Sequence, residues 1–360
     1  MPIINVREAA IEILNKVFIS QVKAGEMIEQ YASRLNERDH RLLHEIVYGV
    51  LRRFYSLEAD FSRFCKAKPD PLAHIALLVC TYQLRHMRVP SHDAVSETGT
   101  AGYKKSPKAV GYVNAVLRKV AERAPPKKLK PHQRAELPKW IYPAWRDAFG
   151  GDVVQQFCQV LKSPPKLALA LFVDREVWIE QARVMGVEAV AGELSPYAVL
   201  LDSGTDVTAL PGFEAGAFTV MDQAAQAAVM ALSPAKTDGL ILDVCAAPGG
   251  KSALLAHRFP DARIQAVELS AKRITRLCEN LRRLRCDNVT ILQADGLNLP
   301  LDAACADAVM LDAPCSASGI LRRHPDAKFL HDQQDVEAMA DLQKKLLNEA
   351  LRVLKTDRKS

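Results

Sequence analysis

The apolar residues in the first third of the chain recur every three or four positions, the spacing of one buried face of an α-helix. This spacing runs through residues 6–17 and 42–54, with no strand-like alternation between them. Prolines divide the stretch into separate helices, because proline fits the first turn of a helix but not its interior. They stand at positions 69, 71, 90 and 107. Residues 1–124 are therefore predicted to form an all-α domain of five or more helices.

The middle of the chain has a weaker pattern. Residues 125–138 hold four prolines and a basic run, which predicts a basic Pro-rich linker or an extended segment. Beyond it, residues 166–173 and 197–201 have the composition of strands, and residues 176–185 that of a helix. Residues 139–232 are therefore predicted to form a small α/β domain.

Strand and helix patterns alternate clearly in the last third. Apolar strands are predicted at residues 240–244, 264–267, 289–292 and 308–311, with helices at 251–257 and 271–283. This order predicts a doubly wound, Rossmann-like parallel sheet. Its ligand should lie beyond the carboxyl ends of the strands.

Charge is distributed unevenly over these regions. Residues 1–140 carry a net charge of +10 and residues 141–360 a net charge of −4, and residues 101–140 alone contribute +9. A strongly basic N-terminal part followed by a near-neutral remainder favours a polyanionic partner such as nucleic acid. A simple solvated surface is the alternative.

Composition narrows the class of protein further. No apolar run, residues 75–80 included, approaches the ~20 residues of a membrane span, so no membrane association is predicted. Arg7 and Glu8 stand where a signal peptide needs an apolar segment, which predicts a cytoplasmic protein. Eight scattered cysteines form no C-x-x-C pair, so reduced thiols and no metal site are expected.

A glycine-rich loop, residues 245–251, follows the first strand of the parallel sheet and has three possible ligands. A P-loop would need glycine in place of Cys245, and Pro248 removes an amide that a phosphate would use, so a P-loop NTPase is disfavoured. A dinucleotide-binding G-x-G-x-x-G is absent. S-adenosylmethionine carries no phosphate and needs only a close backbone approach at Gly249 and Gly250.

Acidic residues at three strand ends favour this third ligand. Glu268, 18 residues after Gly250, is placed to accept hydrogen bonds from ribose hydroxyls. Asp295 could reach an adenine amino group, and Asp312 would lie beside the reacting methyl group. Each acid alone is equally typical of a cap or turn. Three on successive strand ends suit a cationic sulfonium better than a triphosphate.

Two motifs of this sheet resemble those of RNA cytosine-5 methyltransferases. They are Cys245-Ala246-Ala247-Pro248-Gly249-Gly250-Lys251 and Asp312-Ala313-Pro314-Cys315-Ser316-Ala317-Ser318-Gly319, the latter followed by Arg322-Arg323-His324-Pro325-Asp326. Within that superfamily the chain is similar, over nearly its whole length, to the Sun/Fmu family of bacterial 16S rRNA enzymes. Residues 39–52 and 111–118 are similar to the family's NusB-like RNA-binding domain.

The resemblance implies S-adenosylmethionine as cofactor and small-subunit rRNA as partner. Nothing in the sequence suggests more than a monomer. The resemblance assigns cofactor binding to Cys245, Ala246, Ala247, Pro248, Gly249, Gly250, Lys251, Glu268, Asp295 and Asp312. It also assigns Asp312 to a contact with a cytosine ring nitrogen and Cys315 to product release. Cys245 is expected to pack at the loop and not to act as a nucleophile.

The expected architecture is multidomain. A NusB-like helical domain (1–124) and the linker (125–138) precede an RRM-like α/β domain (139–232) and a methyltransferase domain (233–360) that lacks its last strands. The family's nucleophilic cysteine lies in a Thr-Cys-Ser motif after helix 342–354, and this sequence contains no such motif. We therefore expect a C-terminal truncation or frameshift, with the nucleophile beyond residue 360.

Two functions stay open at this point. The chain is either an RNA cytosine-5 methyltransferase, with Cys315 as the candidate substitute nucleophile, or an rRNA- and cofactor-binding remnant without turnover. Smaller departures from the family fall at Phe172, Asp174 and Met221, and they weaken the expectation of RNA contacts there.

Overall fold

A computed structural model describes residues 5–87, 107–234 and 236–356. The chain divides into two compact units. The helical unit comprises Met1–Pro164 and Ser316–Val336, and the α/β unit comprises Pro165–Cys315 and Glu337–Ser360. The helix break predicted at Pro90 lies outside the described residues.

Every regular element in the described part of the first 164 residues is a helix. The helices are α1 (Val6–Ser20), α2 (Ala24–Ala32), α3 (Glu37–Arg52), α4 (Phe54–Ser62), α5 (Pro71–His86), α6 (Pro107–Glu122), α7 (Pro131–Ala135), α8 (Ile141–Phe149) and α9 (Gly151–Leu161). Side-chain caps fix three of the starts: Asn5 accepts hydrogen bonds at the start of α1, Asn36 at the start of α3, and Asp70 before Pro71 of α5. One apolar core with fully buried leucines and isoleucines of α1, α3 and α5 holds the predicted all-α domain together.

The stretch predicted as a linker is packed into the helical unit instead. It contains α7, and Glu136 and Leu137 after that helix are buried. The Glu136 carboxylate accepts hydrogen bonds from the amides of Tyr55 (2.9 Å) and Ser56 (3.3 Å) at the start of α4. The carboxylate thus satisfies two amides that have no partner within α4.

Residues 139–164 also differ from the prediction, which places them in the small α/β domain. They form the helices α8 and α9 and contain no strand. Ile141, Val154 and Cys158 of these helices are buried with Leu321 and Ala327, which lie far along the chain. This stretch therefore belongs to the helical unit, and the α/β unit begins only at Pro165.

The α/β unit opens with a four-stranded antiparallel sheet. Its elements are β1 (Leu167–Leu171), α10 (Arg175–Val184), β2 (Ala189–Ala191), β3 (Ala198–Leu201), β4 (Phe218–Val220) and the following α11 (Gln223–Met230). The strand order is β2-β3-β1-β4. Trp178 and Phe218 fill its core, and the Trp178 indole donates a hydrogen bond to the carbonyl of Pro211 (2.9 Å).

The second sheet is parallel and has the order β7-β6-β5-β8. Its elements are β5 (Leu240–Val244), α12 (Gly250–Arg258), β6 (Arg263–Glu268), α13 (Ala271–Arg283), β7 (Val289–Gln293) and β8 (Ala308–Leu311). These agree with the predicted strands and helices to within one residue at each end. The chain order reverses beside β5, which is where such sheets bind their ligands.

The chain then returns to the helical unit through α14 (Ala327–Leu330) before entering α15 (Gln333–Val353). Asp326 accepts a hydrogen bond from the Ala24 amide (2.9 Å) at the start of α2. The buried Lys328 ammonium donates to the carbonyls of Arg52 (3.3 Å) and Glu136 (3.0 Å). Each charge therefore lies at the helix end whose dipole it stabilises.

Among the described residues, β8 is an edge strand of the parallel sheet. Backbone pairing continues just before β8. The amide of Ala306 donates to the carbonyl of Val353, and the amide of Lys355 donates to the carbonyl of Ala306. The Lys355 ammonium also pairs with the Asp307 carboxylate at 2.8 Å. The absence of the last strands expected for this fold stays a prediction.

Candidate active site

The glycine-rich loop leaves β5 by a sharp turn. Cys245 has φ = +65°, and the next amide, that of Ala246, donates to the carbonyl of Val267 in β6 (3.0 Å). Gly249 has φ = +101°, and a Cβ there would lie 2.7 Å from Cδ1 of Leu277. Glycine is needed at this position both for the backbone angle and for the close approach of α13.

Two side chains of α13 hold this loop by its carbonyls. The Arg273 guanidinium donates to the carbonyl of Ala247 (2.7 Å), and the Asn280 amide donates to that of Pro248 (2.7 Å). Neither residue was singled out in the sequence, because a contact to a backbone carbonyl leaves no motif. The signal available was the helical spacing of seven residues, which places both on one face of α13.

Glu268 ends β6 and is buried. Its carboxylate accepts hydrogen bonds from the amides of Ala247 (3.3 Å) and Ser270 (3.0 Å) and pairs with the Arg273 guanidinium (3.2 Å). The predicted ribose acceptor is thus also a support of the loop.

A cleft of about 310 Å³ opens at the carboxyl ends of β5, β6 and β7. It brings three of the predicted cofactor residues together: Cys245, Glu268 and Asp295. The remaining lining residues are Val267, Leu269, Ser270, Arg273, Ala294, Gly296, Leu297, Pro314, Leu342 and Leu346. Asp295 is exposed and its carboxylate accepts from the Leu297 amide (2.9 Å), while a Cβ on Gly296 would lie 2.9 Å from the Leu346 side chain.

The other predicted residues of the glycine-rich loop form its backbone and lie outside the cleft lining. Ala246 and Ala247 are buried, Pro248 is exposed, and Gly249 and Gly250 lead into α12. Lys251 extends its ammonium to the Asp312 carboxylate, at 2.6 Å.

Asp312, Pro314 and Cys315 form a short loop after β8, called here the 312–315 loop. The Asp312 amide donates to the carbonyl of Val244 (3.1 Å), and the Gln343 side-chain amide of α15 donates to the carbonyl of Pro314 (2.7 Å). Cys315 is exposed and outside the cleft lining, although Pro314 next to it is part of that lining. Burial raises the pKa of the Cys245 thiol to about 11, so it is protonated at neutral pH, in keeping with its expected packing role.

A buried acid that the sequence analysis missed lies behind the loop. Asp243 is fully buried in β5 and accepts a hydrogen bond from the Ser252 hydroxyl (2.5 Å). Its second oxygen, Oδ1, has no hydrogen-bond partner among the described residues. Loss of hydration raises the pKa of this carboxyl to about 7.

Neither a metal site nor a membrane-spanning helix is present among the described residues. No group of three or more His, Cys, Asp or Glu side chains is arranged to hold a metal ion there. No helix in that part of the chain is both long and apolar enough to cross a bilayer.

Two stretches of the chain match known protein families. Residues 4–122 match the NusB family, and residues 229–359 match the family described as 16S rRNA methyltransferase RsmB/F. Ribosomal RNA small subunit methyltransferase B of Shewanella oneidensis is 36% identical over 337 residues, covering 91% of this chain and 78% of the relative. The chain belongs to the ribosomal RNA small subunit methyltransferase B family. It is an RNA methyltransferase, and its predicted NusB-like domain and family are confirmed.

Other methyltransferase B sequences and solved structures agree. The Vibrio cholerae protein is 33% identical over 369 residues, covering 98% of this chain and 84% of that relative. The crystal structure of PH0851 has a TM-score of 0.79 at 22% identity and covers 98% of this chain and 84% of its own. NSun6 from Pyrococcus horikoshii, crystallised with SFG, has a TM-score of 0.54 at 19% identity and covers 61% of this chain and 80% of its own. These two structures support the fold.

Proposed function

We propose that this methyltransferase transfers a methyl group from S-adenosylmethionine to carbon 5 of a cytosine in small-subunit rRNA. The observation that carries the proposal is the cleft at the carboxyl ends of β5, β6 and β7, together with the 312–315 loop beside it. The names of the relatives support the rRNA substrate. The sequence resemblance supports carbon 5 of cytosine.

The cleft fits S-adenosylmethionine in size and in chemistry. Its volume of about 310 Å³ lies at the lower end of the range for small-molecule sites, roughly 300–1,000 Å³. Glu268 and Asp295 supply carboxylate oxygens, which accept hydrogen bonds from hydroxyl and amino groups. A carboxylate offers about four acceptor positions. The amides of Ala247 and Ser270 and the Arg273 guanidinium take three of those on Glu268, which leaves one for a further donor. The two acids also suit a cationic ligand.

S-adenosylmethionine, when bound, supplies an electrophilic methyl group. Carbon 5 of cytosine is a poor nucleophile until a cysteine thiolate adds at carbon 6. Carbon 5 would then take the methyl group as the bond from that group to the sulfonium sulfur breaks, which leaves S-adenosylhomocysteine. A base would remove the carbon 5 proton, and the thiolate would leave as the carbon 5–carbon 6 double bond re-forms.

In this scheme the residues of the 312–315 loop have two roles. The Asp312 carboxyl contacts the cytosine ring nitrogen and so steadies the adduct, while Lys251 holds that carboxylate in place. Cys315 assists release of the product, and its exposed thiol is open to the RNA. The addition step belongs, by resemblance, to the cysteine of a Thr-Cys-Ser motif. The 360 residues contain no such motif, and Cys315 is the substitute that they offer for this step.

Calorimetry tests the cofactor site. Asp295→Ala is expected to weaken S-adenosylmethionine binding roughly tenfold, the effect of losing one or two hydrogen bonds. Because Glu268 also supports the loop, it is tested as Glu268→Gln, with the same expectation. Glu279→Ala removes an exposed acid of α13 and is the matched control. If Asp295→Ala and Glu268→Gln bind as tightly as the control, the cleft is not the cofactor site.

Methyl transfer tests the reaction. The full chain is incubated with radiolabelled S-adenosylmethionine and unmodified small-subunit rRNA, and the methylated base is identified after digestion. We expect 5-methylcytosine. Cys315→Ala should abolish its formation if Cys315 makes the adduct, and should slow its release from the protein if Cys315 only assists release. Binding of cofactor and RNA without transfer would instead indicate a binding protein. A methyl group on any other atom would contradict the proposed chemistry.

A further inference from the structure

The 312–315 loop is held from two other elements of the α/β unit. At its start, the Lys251 ammonium of α12 lies 2.6 Å from the Asp312 carboxylate. At Pro314, the Gln343 side-chain amide of α15 donates a hydrogen bond of 2.7 Å to the backbone carbonyl. Cys315 is the next residue after this second contact.

The carbonyl is the only backbone hydrogen-bonding group that Pro314 has, because proline lacks an N–H. The peptide unit between Pro314 and Cys315 is planar, so fixing this oxygen also fixes the amide of Cys315. The orientation of that plane sets the direction from which the Cys315 side chain leaves the backbone. A donor on the Pro314 carbonyl therefore restricts where the thiol can point.

The donor stands on a firmly packed helix. Leu346, Ala350 and Val353 of α15 are buried, and Leu346 fills the space that a side chain on Gly296 would occupy. Leu342 and Leu346, which flank Gln343 in sequence, line the cleft together with Pro314. One turn of α15 thus contacts both the cleft and the 312–315 loop. Side chains on packed helices hold a site more closely than side chains on loops.

We propose that Gln343 is a positioning residue for methyl transfer: it orients Cys315 by binding the Pro314 carbonyl and ties the 312–315 loop to the wall of the cleft. This inference rests on the proposed function, in which Cys315 acts on the cytosine adduct. Gln343 itself touches neither substrate nor cofactor in this account.

The test uses two substitutions of Gln343 in the full chain. Gln343→Met keeps the length of the side chain and removes the donor. Gln343→Glu keeps its shape but, when ionised, places an acceptor against the Pro314 carbonyl. Asn348→Leu removes an exposed amide from the same helix and is the matched control.

The first readout is the rate at which iodoacetamide alkylates Cys315 in the protein without ligands, followed by mass spectrometry. Loss of one hydrogen bond is expected to raise this rate roughly two- to tenfold in Gln343→Met and Gln343→Glu, because the thiol is released from one orientation. The control is expected to keep the parent rate and the parent melting temperature.

The second readout is the rate of methyl transfer. We expect kcat to fall roughly two- to tenfold in both variants, with KM for RNA and for S-adenosylmethionine unchanged. The kcat of Gln343→Glu divided by that of the parent should rise as the pH is lowered from 7 to 5, because a protonated carboxyl can again donate a hydrogen bond to the Pro314 carbonyl. The same ratio for Gln343→Met should stay flat, which a merely structural role would not explain.

Parent-like alkylation and kcat in both variants would overturn the proposal. If the parent itself transfers no methyl group, the proposed function fails. The alkylation rates would then still decide whether Gln343 orients Cys315.

Discussion

Burial changes the ionisation of the Asp243 carboxyl in the α/β unit. This carboxyl gains one hydrogen bond, from Ser252, and loses all contact with water. One neutral hydrogen bond does not offset the cost of burying a charge. Its pKa therefore rises to about 7, and the folded protein holds a proton there that the unfolded chain releases near pH 4.

This proton makes folding stability depend on pH. Between about pH 4 and pH 7 the folded state binds one more proton than the unfolded state, so the free energy of unfolding falls as pH rises. Above about pH 7 this contribution is constant. The Asn side chain cannot titrate. The free energy of unfolding of Asp243→Asn, relative to that of the parent, should therefore rise by roughly 1.4 kcal/mol per pH unit between pH 5 and pH 7.

Urea unfolding of parent and variant at pH 5, 6, 7 and 8 measures this difference. All other groups titrate equally in both proteins and cancel. A difference that stays constant over this range would show that Asp243 ionises normally in the folded protein.

At the scale of elements, the glycine-rich loop depends on how closely α13 approaches it. A Cβ on Gly249 would lie 2.7 Å from Leu277, and its φ of +101° is unfavourable for any other residue. Gly250, the next residue, has an ordinary backbone angle, and the nearest atom to a Cβ there is the sulfur of Met221 at 3.9 Å.

Gly249→Ala is therefore expected to destabilise the protein by about 1–3 kcal/mol and to weaken S-adenosylmethionine binding. Gly250→Ala is the matched control, and we expect it to be tolerated because alanine is a better helix former than glycine. Urea unfolding and calorimetry on both variants check the pair. Equal effects of the two substitutions would contradict the close approach of α13.

The elements of the parallel sheet could be predicted from sequence because each has its apolar run or its helical spacing within its own residues. The strand predicted at 264–267 is Arg263–Glu268 in the structure, and the helix predicted at 271–283 has those bounds. Helices α7 to α9 could not be predicted in the same way. Prolines and lysines dominate the local pattern around α7, and the partners that bury Leu137 and Ile141 include the distant Leu321 and Ala327.

The same distinction, between features with a local sequence pattern and contacts that only the fold creates, applies to the candidate site. Glu268 and Asp295 could be predicted to lie at one edge of the sheet, because strand ends meet there. The contacts of Arg273, Asn280 and Gln343 could not, because each binds a backbone carbonyl whose position only the fold determines.

At the scale of the whole molecule, the helical unit is completed by residues from beyond the 312–315 loop. Lys328 is buried there and binds the carbonyls of Arg52 and Glu136. Burial lowers the pKa of this ammonium to about 8, so its hydrogen bonds are made at a considerable cost in hydration. Removing it leaves two buried carbonyls without their donor.

Lys328→Met is expected to destabilise the helical unit by about 2–4 kcal/mol, the cost of two unsatisfied carbonyls offset in part by burying an apolar side chain. Hydrogen exchange measured by mass spectrometry locates the effect. Amides of α3 and α4 should exchange faster, whereas those of β5 and β6 should not change. Lys139→Met, at an exposed position, is the control. Equal exchange in the two variants would contradict a structural role for Lys328.

The division of the chain limits how the protein can be taken apart. The polypeptide passes from one unit to the other after Pro164, Cys315 and Val336. A fragment that stops at Pro164 lacks Asp326 and Lys328, and a fragment that starts at Pro165 carries Leu321 and Ala327 without the residues that bury them. Truncation at one point is therefore the wrong way to obtain a minimal methyltransferase. Replacing residues 316–336 by a short polar linker, in a chain that starts at Pro165, is the design that the fold allows.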